Sequence, residues 1–148
     1  MKKMIAFFMA SICAMVVKYF TLDDFSSFLE FDNMVVVSSE KLSDDYVQNG
    51  EEYYSVFKQS EGLSIIENWE NVVAKGVNLY FVDKNFEYFA KRVENIQKIG
   101  DIEGQPCWQG YYSGFKDFRY INKKKINFQL VQTNEGWIMG FPYILTGF

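Results

Sequence analysis

The chain contains no histidine. That absence excludes a catalytic Ser-His or Cys-His pair, a histidine-ligated zinc site and a histidine pH switch. Cysteine is scarce: Cys13 lies in an apolar N-terminal run and Cys107 in the body, so a processed form keeps one unpaired thiol and no disulfide framework is expected. Only 2 prolines occur, and no linker, repeat or low-complexity tract divides the 148 residues. The phosphate-cradling glycine patterns GxGxxG and GxxxxGKS/T are missing. An excess of positive charge is missing too. With 15 basic and 19 acidic residues and a pI near 4.9, the chain has no general electrostatic footprint for nucleic acid or anionic lipid, which leaves local patches as the only basic surfaces.

What is abundant is apolar and aromatic surface, 49% and 19% of residues. A chain of that composition can offset its conformational entropy and fold. Met1-Lys2-Lys3 precedes an uncharged run over residues 4–17, too short for a full bilayer span of about 20 residues and matched to the apolar region of an export signal. Lys2 and Lys3 stand before the run and Asp23, Asp24 and Glu30 after it, which predicts an inside N-terminus and an external body. The cleavage signal is weak, since Ile12 and Ala14 are the best pair for it. Ile12 directly before Cys13 disfavours lipidation. Residues 1–20 are therefore read as a signal peptide or membrane anchor and residues 21–148 as one domain. Retained, the segment gives Lys18, Tyr19 and Phe20 interfacial positions.

Along the body, Thr21 and Asp24 predict a short helix carrying Leu22, Phe25, Phe28 and Leu29. The β-branched and aromatic runs at 34–37 and 53–57 predict strands, with Asn49-Gly50 as a turn in the connection between them. Ser43, Asp44, Asp45, Asn49, Glu51 and Glu52 collect hard oxygen groups in that connection, but their spacing is not that of a calcium loop, and a solvated acidic loop is expected. Ser60 begins a predicted helix with Leu63, Ile66, Trp69 and Val73 on its apolar side, ended by Gly76. A strand follows at 77–82. Asp83 then starts the strongest helical pattern, with Phe86, Phe89, Val93 and Ile96 inward, Glu87–Lys91 and Glu94–Lys98 as supporting pairs and Gly100 as the stop. From Pro106 onward, runs at 106–112, 118–121, 126–132 and 137–144 predict an antiparallel sheet, with Gly140 and Pro142 marking its last strand as an edge or a bulged one. The fold class expected is α+β, an antiparallel sheet packed by two amphipathic helices and preceded by an apolar N-terminal leader helix.

No constellation of catalytic groups emerges. Cys107 has no histidine to activate it and reads as structural, and no carboxylate sits in an apolar strand where burial would raise its pKa. No cofactor or metal is implied. The densest chemistry is Lys116, Arg119, Lys123, Lys124 and Lys125, interleaved with Phe115, Phe118 and Tyr120. Such a strand pair can stack bases or contact phosphates, an anionic envelope polymer or a lipid headgroup is an equal candidate in an exported protein, and lysines in a hairpin also guard a sheet edge. Trp108, Tyr111, Tyr112, Trp137 and Tyr143 are numerous enough that some should be exposed and line a binding face, and Trp108 and Tyr112 are binding candidates with the basic cluster.

Gly110-Tyr111, Ile126-Asn127-Phe128-Gln129-Leu130-Val131, Gly140-Phe141-Pro142-Tyr143-Ile144 and the terminal Phe148 resemble the ending of YwmB-like proteins over about 40 residues. That resemblance implies an exported, sporulation-associated protein of a Gram-positive envelope, a fold similar to the TATA-box-binding protein, and no catalytic residues. Residues and resemblance together predict a non-enzymatic exported or membrane-tethered protein that binds another envelope component, a protein or an anionic polymer, through an exposed sheet and the basic hairpin. Nucleic acid is not expected as a partner, and the N-terminal segment offers membrane contact. The alternative is a small inhibitor or immunity-type protein that binds a partner protein through the acidic loop at 43–52.

Overall fold

A computed structural model describes residues 25–68 and 74–144 of the chain. The expected leader, the Thr21 and Asp24 cap, Trp69, Val73 and Phe148 lie outside the described residues. Asn33-Met34-Val35-Val36-Val37-Ser38 forms β1 (Asn33–Ser38), buried on both faces from Met34 onward, which is why it reads as a continuous apolar run and not an alternating one. Antiparallel neighbours flank it, β3 (Glu52–Lys58) and β4 (Gly76–Phe81), with Val36 opposite Ser55 on one side and Val77 on the other. With β2 (Tyr46–Asn49), β5 (Glu94–Ile102), β6 (Gln105–Tyr111), β9 (Phe128–Thr133) and β10 (Gly136–Phe141), these make one eight-stranded sheet in the order β2-β3-β1-β4-β10-β9-β6-β5. β7 (Arg119–Ile121) and β8 (Lys124–Ile126) form a separate two-stranded hairpin.

One face of the sheet carries the larger core. Met34, Leu79, Phe128, Leu130, Met139 and Phe141 lie there at 0% exposure, under Phe28 of a 3-10 turn (Ser26–Phe28), Phe31 and Phe89. Helix α1 (Gln59–Glu67) packs on the same core, where Gly62 lets the chain approach the Phe31 ring so closely that a Cβ would stand 2.9 Å from it. A smaller cluster of Ile102, Cys107, Val131, Ile138 and Ile144 forms on the other face. There the segment after β10 folds back over Gly140, a position where any Cβ would collide with the Tyr143 carbonyl, and the Ile144 N–H donates to Gln129 Oε1 at 3.0 Å.

The structure therefore corrects the α+β expectation of a sheet packed by two amphipathic helices. Among the described residues the helices are α1, of 9 residues, and α2 (Phe86–Ala90), of 5. The long helix expected from Asp83 to Gly100 stops after α2, and its second half is the edge strand β5. The reason lies in pairing: Glu103 (φ 56°) and Gly104 (φ 78°) make a tight turn that sets Ile102 opposite Gln105, and β5 then zips along β6, outweighing a three-to-four residue spacing. Glu87 and Lys91 pair at 3.7 Å as expected, but Lys98 meets Asp101 and not Glu94. Capping shifts as well. Helix α2 is capped by Asn85, whose Oδ1 accepts the Tyr88 N–H at 3.1 Å, and α1 begins at Gln59 with Glu61 reaching back to the Lys58 N–H at 3.4 Å.

Two further expectations change. The acidic insert is not all loop, because Tyr46–Asn49 is the edge strand β2, closed onto β3 by Gly50 at φ 64°. β10 is an interior strand between β4 and β9 that ends before Pro142, so the proline needs no edge or bulge. The bulged edge is β5, where register shifts beside Asn95 (φ 55°) and Gly100 interrupt the ladder and blunt the sheet against adding further strands.

Candidate functional site

The segment between β6 and β9 is gripped at both ends by one buried side chain. Asn127, 1% exposed, accepts the Tyr112 N–H at 2.8 Å and donates to the carbonyls of Tyr112 at 2.9 Å and Phe115 at 2.7 Å, while its own N–H donates to Gly110 O at 2.8 Å. An asparagine amide reproduces the donor and acceptor of a peptide group, so it continues the β6–β9 ladder one step past the strand. Phe115 then turns into the core against Phe25 and Phe141. From that root the chain runs out through Lys116, Asp117 and Phe118 into β7 and returns through β8, with Ile126 buried at the base.

The hairpin closes through Asn122 (φ 51°) and Lys123 (φ 68°), two consecutive left-handed residues between the paired Ile121 and Lys124. This is the mirror-image turn that matches strand twist, with asparagine first and a lysine where glycine is the favoured residue. On one face, Tyr120 stands opposite Lys125. Phe118 meets Tyr120 edge-on at 5.5 Å and Tyr111 at 6.1 Å, and the Lys125 ammonium lies 4.7 Å from the Phe118 ring and 5.4 Å from that of Tyr111. Each cation–π contact of this exposed kind contributes on the order of 0.5–1 kcal/mol. Tyr120 remains 62% exposed and Phe118 37%.

Charge is concentrated in the same place. Five of the 15 basic residues and one of the 19 acidic ones fall in residues 116–125, so that segment is +4 and the other residues, with ten basic and 18 acidic, are −8. Among the described residues, the ion pairs engage Lys41, Lys75, Lys84, Lys91 and Lys98, and none engages Lys123, Lys124 or Lys125. Arg119 is half-buried, and its Nη1 is shielded from solvent without a hydrogen-bond acceptor.

The structure thus brings Arg119, Lys123, Lys124 and Lys125 onto one hairpin with Lys116 at its root. It does not bring Trp108 or Tyr112 there. Trp108 packs between Phe86 at 5.1 Å and Trp137 at 5.4 Å beneath α2, and Tyr112 is 3% exposed with its ring edge-on to Phe28 at 4.9 Å. Trp137 and Tyr143 are buried too, so the expected exposed sheet face is packed core at these positions. Asn127 was missed as the anchor of the site. The signal for it was a polar residue within the apolar run Ile126-Asn127-Phe128, a place where an amide must find partners.

Elsewhere, Cys107 is 0% exposed, and burial pushes its thiol up to about 12, so it is no nucleophile at neutral pH. Among the described residues no three His, Cys, Asp or Glu side chains converge on a metal position. The acidic insert is folded: Ser43 Oγ donates to Val56 O at 2.9 Å and accepts the Asp45 N–H at 3.0 Å, Glu52 pairs with Lys75 at 3.1 Å, and a groove of about 580 Å³ opens beside Lys41, Asp44, Asp45 and Glu61. No hairpin residue lines that groove. Compared with protein-family models, with functionally characterised proteins and with solved structures, the chain finds no match in any of the three.

Proposed function

We propose that this is a non-enzymatic, exported or membrane-tethered protein of the cell envelope that docks on an anionic envelope component through the β7–β8 hairpin. The observation that carries this reading is the separation of charge: a +4 segment, with Lys123, Lys124 and Lys125 outside every described ion pair, stands on a hairpin of its own while the other residues sum to −8. Such a surface attracts an anion with one patch and repels it with the remainder, which fixes orientation as well as contact. The leader-like residues 1–20 and the YwmB-like ending point to the same compartment. The lack of histidine and the buried Cys107 support a role without catalysis.

The test is a triple replacement of Lys123, Lys124 and Lys125 by serine. Folding should be retained, and binding to an anionic polymer should weaken at low salt and differ less from the parent at high salt. Equal binding by parent and variant at low salt would overturn the proposal.

One observation favours a second reading, an inhibitor or immunity-type protein acting through the acidic side. β2 is the outermost strand beside β3, all four of its residues are exposed with Val47 at 65%, and Asp45 directly before it lines the groove together with Asp44, Glu61, Lys41 and Lys58. A partner strand could add there. Capture of one soluble toxin or enzyme by the parent chain, abolished by Val47→Pro, would favour that reading over the envelope one.

A further inference from the structure

The geometry points to a bilayer bearing anionic phospholipid headgroups as the component that the β7–β8 hairpin meets, making the hairpin a second membrane contact beside the apolar segment at residues 4–17. This deepens the proposed function and rests on it. Three observations carry it. First, the chain enters the described body at the root of the hairpin: the Phe25 ring packs 6.1 Å from Phe115, and Phe115 directly precedes Lys116. Residues 18–24 are all that separate Phe25 from the apolar run, a path of at most about 29 Å when fully extended. With the run retained as a membrane anchor, a tether this short would hold the hairpin at an effective concentration on the order of millimolar next to that membrane. Weak attraction then suffices.

Second, the charge distribution favours an approach by the hairpin. An anionic surface attracts residues 116–125 and repels the body at 25–115 and 126–148, which with seven basic and 16 acidic residues is −9, and with a screening length of about 8 Å at physiological salt the hairpin must lie close to the headgroups to gain from it. Third, the hairpin is aromatic as well as basic. Phe118 and Tyr120 are exposed, edge-on to each other and next to Lys125. A hydrated polymer gives the apolar Phe118 ring nothing it lacks in water. The boundary between headgroups and acyl chains takes up such rings while lysines remain with the phosphates, and this difference favours a bilayer over a polymer.

The experiment uses the full chain reconstituted in vesicles of phosphatidylcholine alone or with phosphatidylglycerol, labelled by a membrane-impermeant amine reagent and read by mass spectrometry. Lys41, shortly before the opposite sheet edge β2 and 46% exposed, is the internal reference. With phosphatidylglycerol, labelling of Lys123 and Lys124 relative to Lys41 should fall about threefold or more and recover in high salt, as expected for screened attraction. A Phe118→Ser/Tyr120→Ser variant should lose this protection while a soluble poly(glycerol phosphate) still protects its lysines. Equal labelling in both vesicle types together with protection by the polymer would overturn the bilayer and keep the envelope reading. Protection by neither would overturn both. Full vesicle protection in the double variant would overturn the role of the rings.

Discussion

The side chain of Asn127 holds both polar backbone atoms of Tyr112, accepting from its N–H at 2.8 Å and donating to its carbonyl at 2.9 Å. A third bond, to Phe115 O, fastens the other side of the turn. The hairpin's position therefore depends on a single amide placed at its base.

Asn127→Ala should cost roughly 3 kcal/mol or more, because three buried backbone groups lose their partner without gaining water. Urea denaturation measures the loss, and hydrogen exchange should show faster exchange at Tyr112. A change below about 1 kcal/mol would mean that the loop finds other partners.

Lys123→Gly tests the turn. A lysine at φ 68° pays the left-handed penalty that glycine avoids, so the substitution should stabilise the hairpin by about 1 kcal/mol while removing one charge. The expected outcome is a raised melting temperature together with weaker binding to an anionic surface. Stability and binding moving together would contradict it.

Phe89→Ala tests how far the short helix α2 contributes to the core. Phe89 is 0% exposed, with ring centroids of Phe81 and Trp137 at 5.1 and 5.3 Å, and its removal should cost about 3–5 kcal/mol. An unchanged denaturation midpoint would reject that packing.

Cys107 predicts a pH dependence. Its thiol is raised from 9.0 to about 12 in the fold, so well below pH 9 it is protonated in both states and contributes no slope. Between those values the unfolded thiol ionises and the folded one does not, so stability falls as pH rises, by at most about 1.4 kcal/mol per pH unit from this group. In a Cys13→Ala background, the stability difference between the Cys107 protein and its Cys107→Ala variant should shift against Cys107 between about pH 8 and about pH 10. A constant difference would show that burial does not hold the proton on.

Much of the sheet was legible. β1, β3, β4, β6, β9 and β10 are β-branched or aromatic runs between turn residues, and they form close to where composition placed them, whereas the run expected at 126–132 breaks at Asn127 and β8 reaches back into the lysines expected to form a turn. β5 was not legible, because Val93 and Ile96 continue the spacing of Phe86 and Phe89 and fit a helix as well as an edge strand. β2 was hidden by its shortness and its polar flanks, since an edge strand need bury nothing and Tyr46 and Val47 alone make no run. Of the candidate binding residues, the lysines and Arg119 could be read from sequence proximity alone. Trp108 and Tyr112 could not, because an aromatic residue in a strand fits the core as well as a surface.

Local chemistry determined by itself that the segments of β1, β3, β4, β6, β9 and β10 extend, and that five cations gather within ten residues; these follow from backbone preference and charge among near neighbours. Tertiary structure alone decided which face each aromatic ring occupies, that β5 pairs with β6 in place of forming a helix, and that Asn127 joins the hairpin to the body. Those outcomes depend on contacts between residues distant in the chain, and no short window of sequence contains both partners.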